Sequence, residues 1–201
     1  MDDKKNSSPT LKERLRALTS EVALGRTHLA IAKRLRVAPK AVLHKAPTFF
    51  NLTHNAHLDA AYLCAAKLYD KQKKATTVRK TLDEAERTAG TFGKSSAENV
   101  RTIVAAARKE IERFEKTIDA LGDRRNEYIA HLGPEKITDP KALGKAPALT
   151  FDELDELLVG TGNILNDISQ AYDGTLAVPA LPHSDDCEEV LRLVAEGDRK
   201  R

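Results

Sequence analysis

Apolar residues return every three or four positions along most of this chain, and no stretch alternates them with polar residues as a strand would. The pattern predicts an all-α protein. Thr10 and Glu13, preceded by Pro9, form a capping box. The helix they open has Leu11, Leu15, Leu18, Val22, Leu29 and Leu35 as its apolar positions and is expected to reach about Arg36, with Gly25 as a soft point. Val37-Ala38-Pro39 breaks the pattern, and a short helix follows over residues 40–45. Pro47 opens a longer helix through Phe50, Leu58, Leu63 and Leu68 to Asp70. Residues 71–74 read as a basic loop, 77–87 as a helix and 89–96 as a loop with two glycines.

Ser95 and Glu98 are expected to cap a long helix ending near Leu121, with Val100, Val104, Ala107, Ile111, Phe114, Ile118 and Leu121 on its apolar stripe. Gly122 is expected to break or bend it, and Asp123 to cap a new helix of about two turns, stopped by Gly133-Pro134. Residues 135–149, with two prolines, one glycine and three lysines, read as a surface loop. Thr150 and Glu153 cap the next helix, through Leu154, Leu157, Leu158, Ile164, Leu165 and Ile168 to Tyr172. Residues 176–182 form an extended linker, and Ser184 caps a last short helix with Val190, Leu191 and Val194 as its apolar side. The expected organisation is a disordered tail (1–8), a basic helical region (9–45), a helical core (46–175), and a linker with a C-terminal helix (176–201).

Composition narrows the picture. Aromatic residues are 4% of the chain and Trp is absent, so the core must be Leu, Ile, Val and Ala, which favours closely packed helices. The net charge of +3 is too small to name a partner, but residues 1–45 carry eleven Lys/Arg against four Asp/Glu. A basic arm of this kind attracts a nucleic-acid backbone, although a solvated amphipathic helix has the same composition. Cys64 and Cys187 stand far apart without a partner motif, which suits a reducing, cytoplasmic compartment, and Cys64 lies in an apolar run as a small buried hydrophobe. The first eight residues are polar and charged, unlike a secretory leader, and no apolar run approaches the ~18 residues of a membrane span.

The densest chemistry is the run from Asp123 to His131, which reads R-N-x-x-x-x-H from Arg125. Histidine transfers protons near neutrality, and arginine presents a permanently charged fork that matches phosphate. Arg125 and His131 are six apart, about 120° in azimuth and about 9 Å along a regular helix, so they need not touch within one chain. Arg124, seven before His131, lies on nearly the same face and competes for the role of working arginine or second phosphate clamp. Glu127, one turn before His131, can pair with the imidazolium. Tyr128 can line a cleft or enter the core. The same residues also read as an ordinary capped helix with solvated arginines.

Three segments together resemble the AbiU-type branch of the HEPN superfamily, which belongs to phage abortive infection. They are residues 58–70, an Ala/Leu-rich run ending in Lys67-Leu68-Tyr69-Asp70; residues 125–132, ending in Ala130-His131-Leu132; and the 149–172 helix behind its lysine-rich loop. The resemblance covers about residues 45–173. It implies a HEPN-like helical bundle that dimerises, and the helices read on either side of it would be an N-terminal helical extension and a short C-terminal helix. It implies a metal-independent endoribonuclease of a prokaryotic defence or toxin system, needing no cofactor, that cuts RNA by attack of the ribose 2′-oxygen on the adjacent phosphate in a composite dimer cleft. His131 would transfer the proton, Arg125 would hold the phosphate, Asn126 would orient it, and Arg124 and Tyr128 would contact substrate, with Glu127 in support. An antitoxin or trigger would restrain the activity. In a related branch a tyrosine two residues after the histidine is modified by a partner enzyme; Gly133 stands there in this chain, which argues against that regulation.

Two other readings compete. Residues 29–45 resemble a helix-turn-helix with Ile31, Leu35, Val37 and Val42 inside and Ala32 at the crossing, which suggests a DNA-binding regulator, although Arg36 stands where such turns favour Gly. A catalytically inactive dimerisation or RNA-binding module has the same helical pattern. His54 and His57 are three apart, with no carboxylate or Cys set beside them to make a metal site.

Overall fold

A computed structural model describes residues 9–125, 149–176 and 186–197, and among these every regular element is helical. Eight α-helices are described: α1 (Leu11–Val37), α2 (Lys40–Leu43), α3 (Pro47–Leu68), α4 (Val78–Arg87), α5 (Ala97–Arg113), α6 (Glu115–Arg124), α7 (Phe151–Asp173) and α8 (Asp186–Glu196), with a 3₁₀ turn at Ala89–Thr91. None of them is long and apolar enough to cross a membrane.

The capping boxes expected at Thr10/Glu13 and Thr150/Glu153 are both closed, each Thr hydroxyl taking the Glu backbone N–H while the Glu carboxylate takes the Thr N–H. At α5 the cap is Ser96, which accepts from Asn99 N, rather than the expected Ser95 with Glu98. The long helix expected from there to Leu121 is two helices. Phe114 turns between them at φ −91°, ψ 1°, because its buried ring is pulled into the core beside Gly160.

α1 is the spine. Glu21 meets Lys67, Gly25 meets Cys64 and His28 meets His57, so α1 and α3 run antiparallel. Along its other side Lys12 meets Asp173, Val22 meets Gly162, Gly25 meets Leu158 and Lys33 meets Asp155, so α7 is antiparallel to it as well. The small residues at these crossings let the axes approach closely; a Cβ on Gly25 would stand 3.1 Å from the Cys64 Cβ. α4, α5 and α6 close the bundle, and Leu29, Leu68, Leu82, Ile111, Leu121, Leu154 and Leu157 are almost wholly buried in one continuous core. Burial of each such side chain stabilises the fold by roughly 1.5–3 kcal/mol before entropy is charged against it. The basic region that begins the chain therefore supplies Leu11, Leu15, Leu18, Val22 and Leu29 to that core.

A smaller cluster of Leu35, Val42 and Phe50 lies at the far end of α1, under Cys187, Leu191 and Val194 of α8. α8 is tied there by Arg34–Glu188 at 2.6 Å and by Lys45 Nζ donating to the Val194 and Ala195 carbonyls. Its inward side is thus the part-buried Cys187, Leu191 and Val194; Val190, expected to be apolar-side, faces out. The expected helix cap at Ser184 lies outside the described residues.

The helix-turn-helix expectation is corrected. α1 continues to Val37, which is 76% exposed rather than an inner position. The segment that would read DNA is the single turn α2, too short to enter a major groove; Leu35 and Val42 are buried as expected, with Cys187, Leu191 and Val194 of α8 packed against them.

Candidate active site

α6 carries the start of the R-N-x-x-x-x-H run to the C-terminal end of α3. The chain does not break at Gly122, nor does Asp123 cap a new helix: α6 passes through both to Arg124, and Arg125 caps it with helical φ −57°, ψ −50°. A mid-helix glycine costs about 1 kcal/mol against alanine, and the burial of Ile118 and Leu121 on the same helix outweighs it. Asn126, Glu127, Tyr128 and His131 lie outside the described residues, as does Gly133.

Each motif arginine meets a residue of α3 or its end. Arg125 Nη1 lies 2.7 Å from Asp70 Oδ2, with 24% and 16% of the two side chains exposed. The other carboxylate oxygen of Asp70, Oδ1, accepts the Gln72 backbone N–H at 3.0 Å, a local turn that fixes the carboxylate's direction. Asp70 stands two residues beyond the last residue of α3, where the chain has just left the helix through Tyr69. Tyr69 is itself anchored: its buried hydroxyl lies 2.6 Å from Thr161 Oγ1, which donates onward to the Leu157 carbonyl at 2.7 Å. Thr161 having spent its proton, Tyr69 is the donor. Burial, opposed by this hydrogen bond, pushes the Tyr69 phenol up to about 12.

Arg124 lies on the other side of α6. Its guanidinium sits 4.2 Å from the centre of the Tyr62 ring, a cation–π contact. Its Nε is buried and makes no hydrogen bond among the described residues. The Tyr62 hydroxyl donates to the Leu149 carbonyl at 3.1 Å, one residue before the α7 cap. Burial raises the Tyr62 pKa, and the Arg124 charge partly offsets this. Tyr62 therefore marks one place on α3 where the chain reaches Arg124 before residues 126–148 and is found again at Leu149 after them.

Between α3 and α6 lies a cleft of about 390 Å³, floored by Ala65, Ala66, Tyr69 and Leu121 and rimmed by Asp70, Lys71, Asp119, Asp123 and Arg125. Lys71 donates to Asp119 at 3.2 Å across this rim. Among the described residues the cleft's two cations thus each face a carboxylate, and a phosphate entering it must compete with Asp70 for Arg125. Sequence reasoning passed over Asp70 and Tyr62 as site residues. Asp70 was visible as the acid closing Lys67-Leu68-Tyr69-Asp70, but nothing local says that it meets Arg125, 55 positions on. Of the residues expected to act, Arg124 and Arg125 are brought to one end of α3, onto Tyr62 and Asp70.

The HEPN AbiU2 family model matches residues 8–192, nearly the whole chain and more than the segments that first suggested the resemblance. No curated protein and no solved structure matches it.

Proposed function

This chain belongs to the AbiU2 family of the HEPN superfamily, and from that membership we propose that it is a metal-independent endoribonuclease of a prokaryotic phage-defence or toxin system. The match carries the reading, because it spans the whole run from Arg124 to His131. The chemistry of that run supports it. In the proposed reaction His131 takes the proton of a ribose 2′-hydroxyl as its oxygen attacks the adjacent phosphorus. The bond to the 5′-oxygen breaks, leaving a 2′,3′-cyclic phosphate, and the 5′-oxygen takes back the proton that His131 removed and becomes a 5′-hydroxyl. Arg125 holds the phosphate and stabilises the charge that builds on it. Asn126 orients the phosphate, Arg124 and Tyr128 contact the substrate, and Glu127 supports the imidazolium. A second copy of the chain brings its own motif to complete the cleft, RNA is the substrate, and an antitoxin or trigger restrains the activity.

A second reading has one observation in its favour. Arg125 is already engaged by Asp70 in a mostly buried ion pair, as it would be in an inactive dimerisation or RNA-binding module of the same family.

The test is incubation of purified protein with single-stranded and structured RNA in excess EDTA, beside His131→Ala and Arg125→Ala proteins of equal fold. Cleavage by the unmodified protein alone, leaving cyclic-phosphate ends, is the expected result. Equal cleavage by all three would point to a contaminant, and no cleavage across a panel of cellular RNAs would favour the binding module.

A further inference from the structure

We propose that Asp70 is the positioning residue for Arg125 and also a built-in competitor for its ligand, so that an RNA phosphate binds by displacing the carboxylate from the guanidinium. The inference rests on the nuclease reading for the identity of the ligand, and on the geometry for everything else.

Asp70 is held so that one oxygen is left for Arg125. The Gln72 N–H takes Oδ1, and Oδ2 lies 2.7 Å from Arg125 Nη1. A guanidinium carries five N–H donors in a rigid fork, and this contact uses one end of it. Arg125 stays partly exposed on the rim of a cleft whose size falls within the range of small-ligand sites, about 300–1,000 Å³. Carboxylate and phosphate offer the same kind of paired oxygens to such a fork, so one can replace the other.

The exchange has a direction. Asp70 carries the same charge throughout, whereas a phosphate under attack gains negative charge. A competitor weakens binding of the resting substrate and of the transition state alike, and so raises KM without itself lowering kcat. Positioning works the other way: a guanidinium held in one place is already aimed when charge develops. Asp70 therefore raises KM and supports kcat together, a combination that a purely structural ion pair does not give.

The test compares the full-length protein with Asp70→Asn, Arg125→Gln and the double variant, using a 2′-O-methyl RNA oligonucleotide as a non-cleavable probe and the unmodified RNA as substrate. Asp70→Asn is expected to bind the probe about two- to fivefold tighter, the scale on which one modest ion pair competes. Its salt dependence should steepen by about one phosphate contact, and its KM and kcat should both fall. The gain in affinity should vanish in the double variant. Asp70→Ser serves the same purpose should the amide variant fail to fold. Unchanged or weaker binding in the Asp70 variants, or a gain that persists without Arg125, would overturn the proposal. Cleavage by the unmodified protein reports separately on the nuclease reading. Without cleavage, an Arg125-dependent gain in probe affinity still upholds the exchange, and its absence still refutes it.

Discussion

The Nδ1 atoms of His28 and His57 lie 2.8 Å apart across the contact between α1 and α3. The rings are part-buried, tilted by 42°, with centroids 5.0 Å apart. One nitrogen must donate and the other accept, so the pair needs at least one neutral imidazole. Burial holds both pKa values below the ordinary histidine value, and for His57 the charge of His28 adds to the effect. The unfolded chain then binds protons more readily than the folded one. Stability from this pair is present above about pH 6.5, the unfolded value, and is lost as pH falls through the depressed folded values. Thermal melts between pH 7.5 and 5 should show a falling Tm, and His28→Gln should lose less of it, by a few degrees. An equal decline in both proteins would remove the pair from the account.

Tyr62 joins the motif helix to the start of α7, and its two contacts can be separated. Tyr62→Phe keeps the ring under Arg124 but leaves the Leu149 carbonyl without its donor, at a cost of about 1 kcal/mol. Tyr62→Leu also removes the cation–π contact and should cost a further ~0.5–1 kcal/mol beyond the lost packing. Urea denaturation of the two variants measures the difference. If Arg124→Ala erases that further increment, the contact with Arg124 is its source; if the increment survives, the ring acts through packing alone.

What was legible in the sequence was local. Thr10 with Glu13 and Thr150 with Glu153 mark helix starts because all the partners lie within one turn. The stripe from Leu11 to Leu35 gives α1 to within a residue or two at its far end. The misread positions are those where a distant contact decides. Gly122 and Asp123 look like a boundary, but Leu121 is buried on one side of them and Arg125 is held by Asp70 on the other. Phe114 looks like one more stripe position, yet it turns the chain because Gly160 leaves room for its ring. Val37 and Val190 have the right hydrophobicity and the wrong azimuth. In the candidate site, Arg124 and Arg125 could be singled out by residue type and order. Asp70 and Tyr62 could not, since their part depends on which helix end α6 reaches.

Gly160 and Phe114 offer a test of that packing. A Cβ on residue 160 would stand 2.6 Å from Phe114 Cε2 and 2.8 Å from Cζ, closer than unbonded carbons approach. Gly160→Ala gains helix propensity, worth up to ~1 kcal/mol, but forces the ring at the α5–α6 turn to move. The net expectation is destabilisation by about 1–3 kcal/mol. Pairing it with Phe114→Leu should give a loss smaller than the two single losses together, because the smaller side chain removes the clash. Strict additivity in denaturant melts would mean that the ring moves aside at no cost.

The two cysteines should report the bundle and the α8 contact separately. Cys64 is buried where α3 crosses Gly25, and burial, with Glu21 beside it, pushes its thiol up to about 11. The thiolate is the reactive form, so Cys64 should resist alkylation until the protein unfolds. Cys187 is part-buried against the Leu35–Val42–Phe50 cluster, and burial raises its pKa too, though Arg34 works against the rise. Its protection depends on α8 staying down, which rests on little apolar area and on Arg34–Glu188 and the Lys45 contacts. Brief iodoacetamide treatment at pH 8 followed by mass spectrometry should therefore modify Cys187 well before Cys64. Arg34→Ala should speed modification of Cys187 several-fold and leave Cys64 unchanged, because local opening of α8 exposes one thiol and not the other. Modification of both cysteines at one rate would instead mean that α8 leaves only when the whole bundle unfolds.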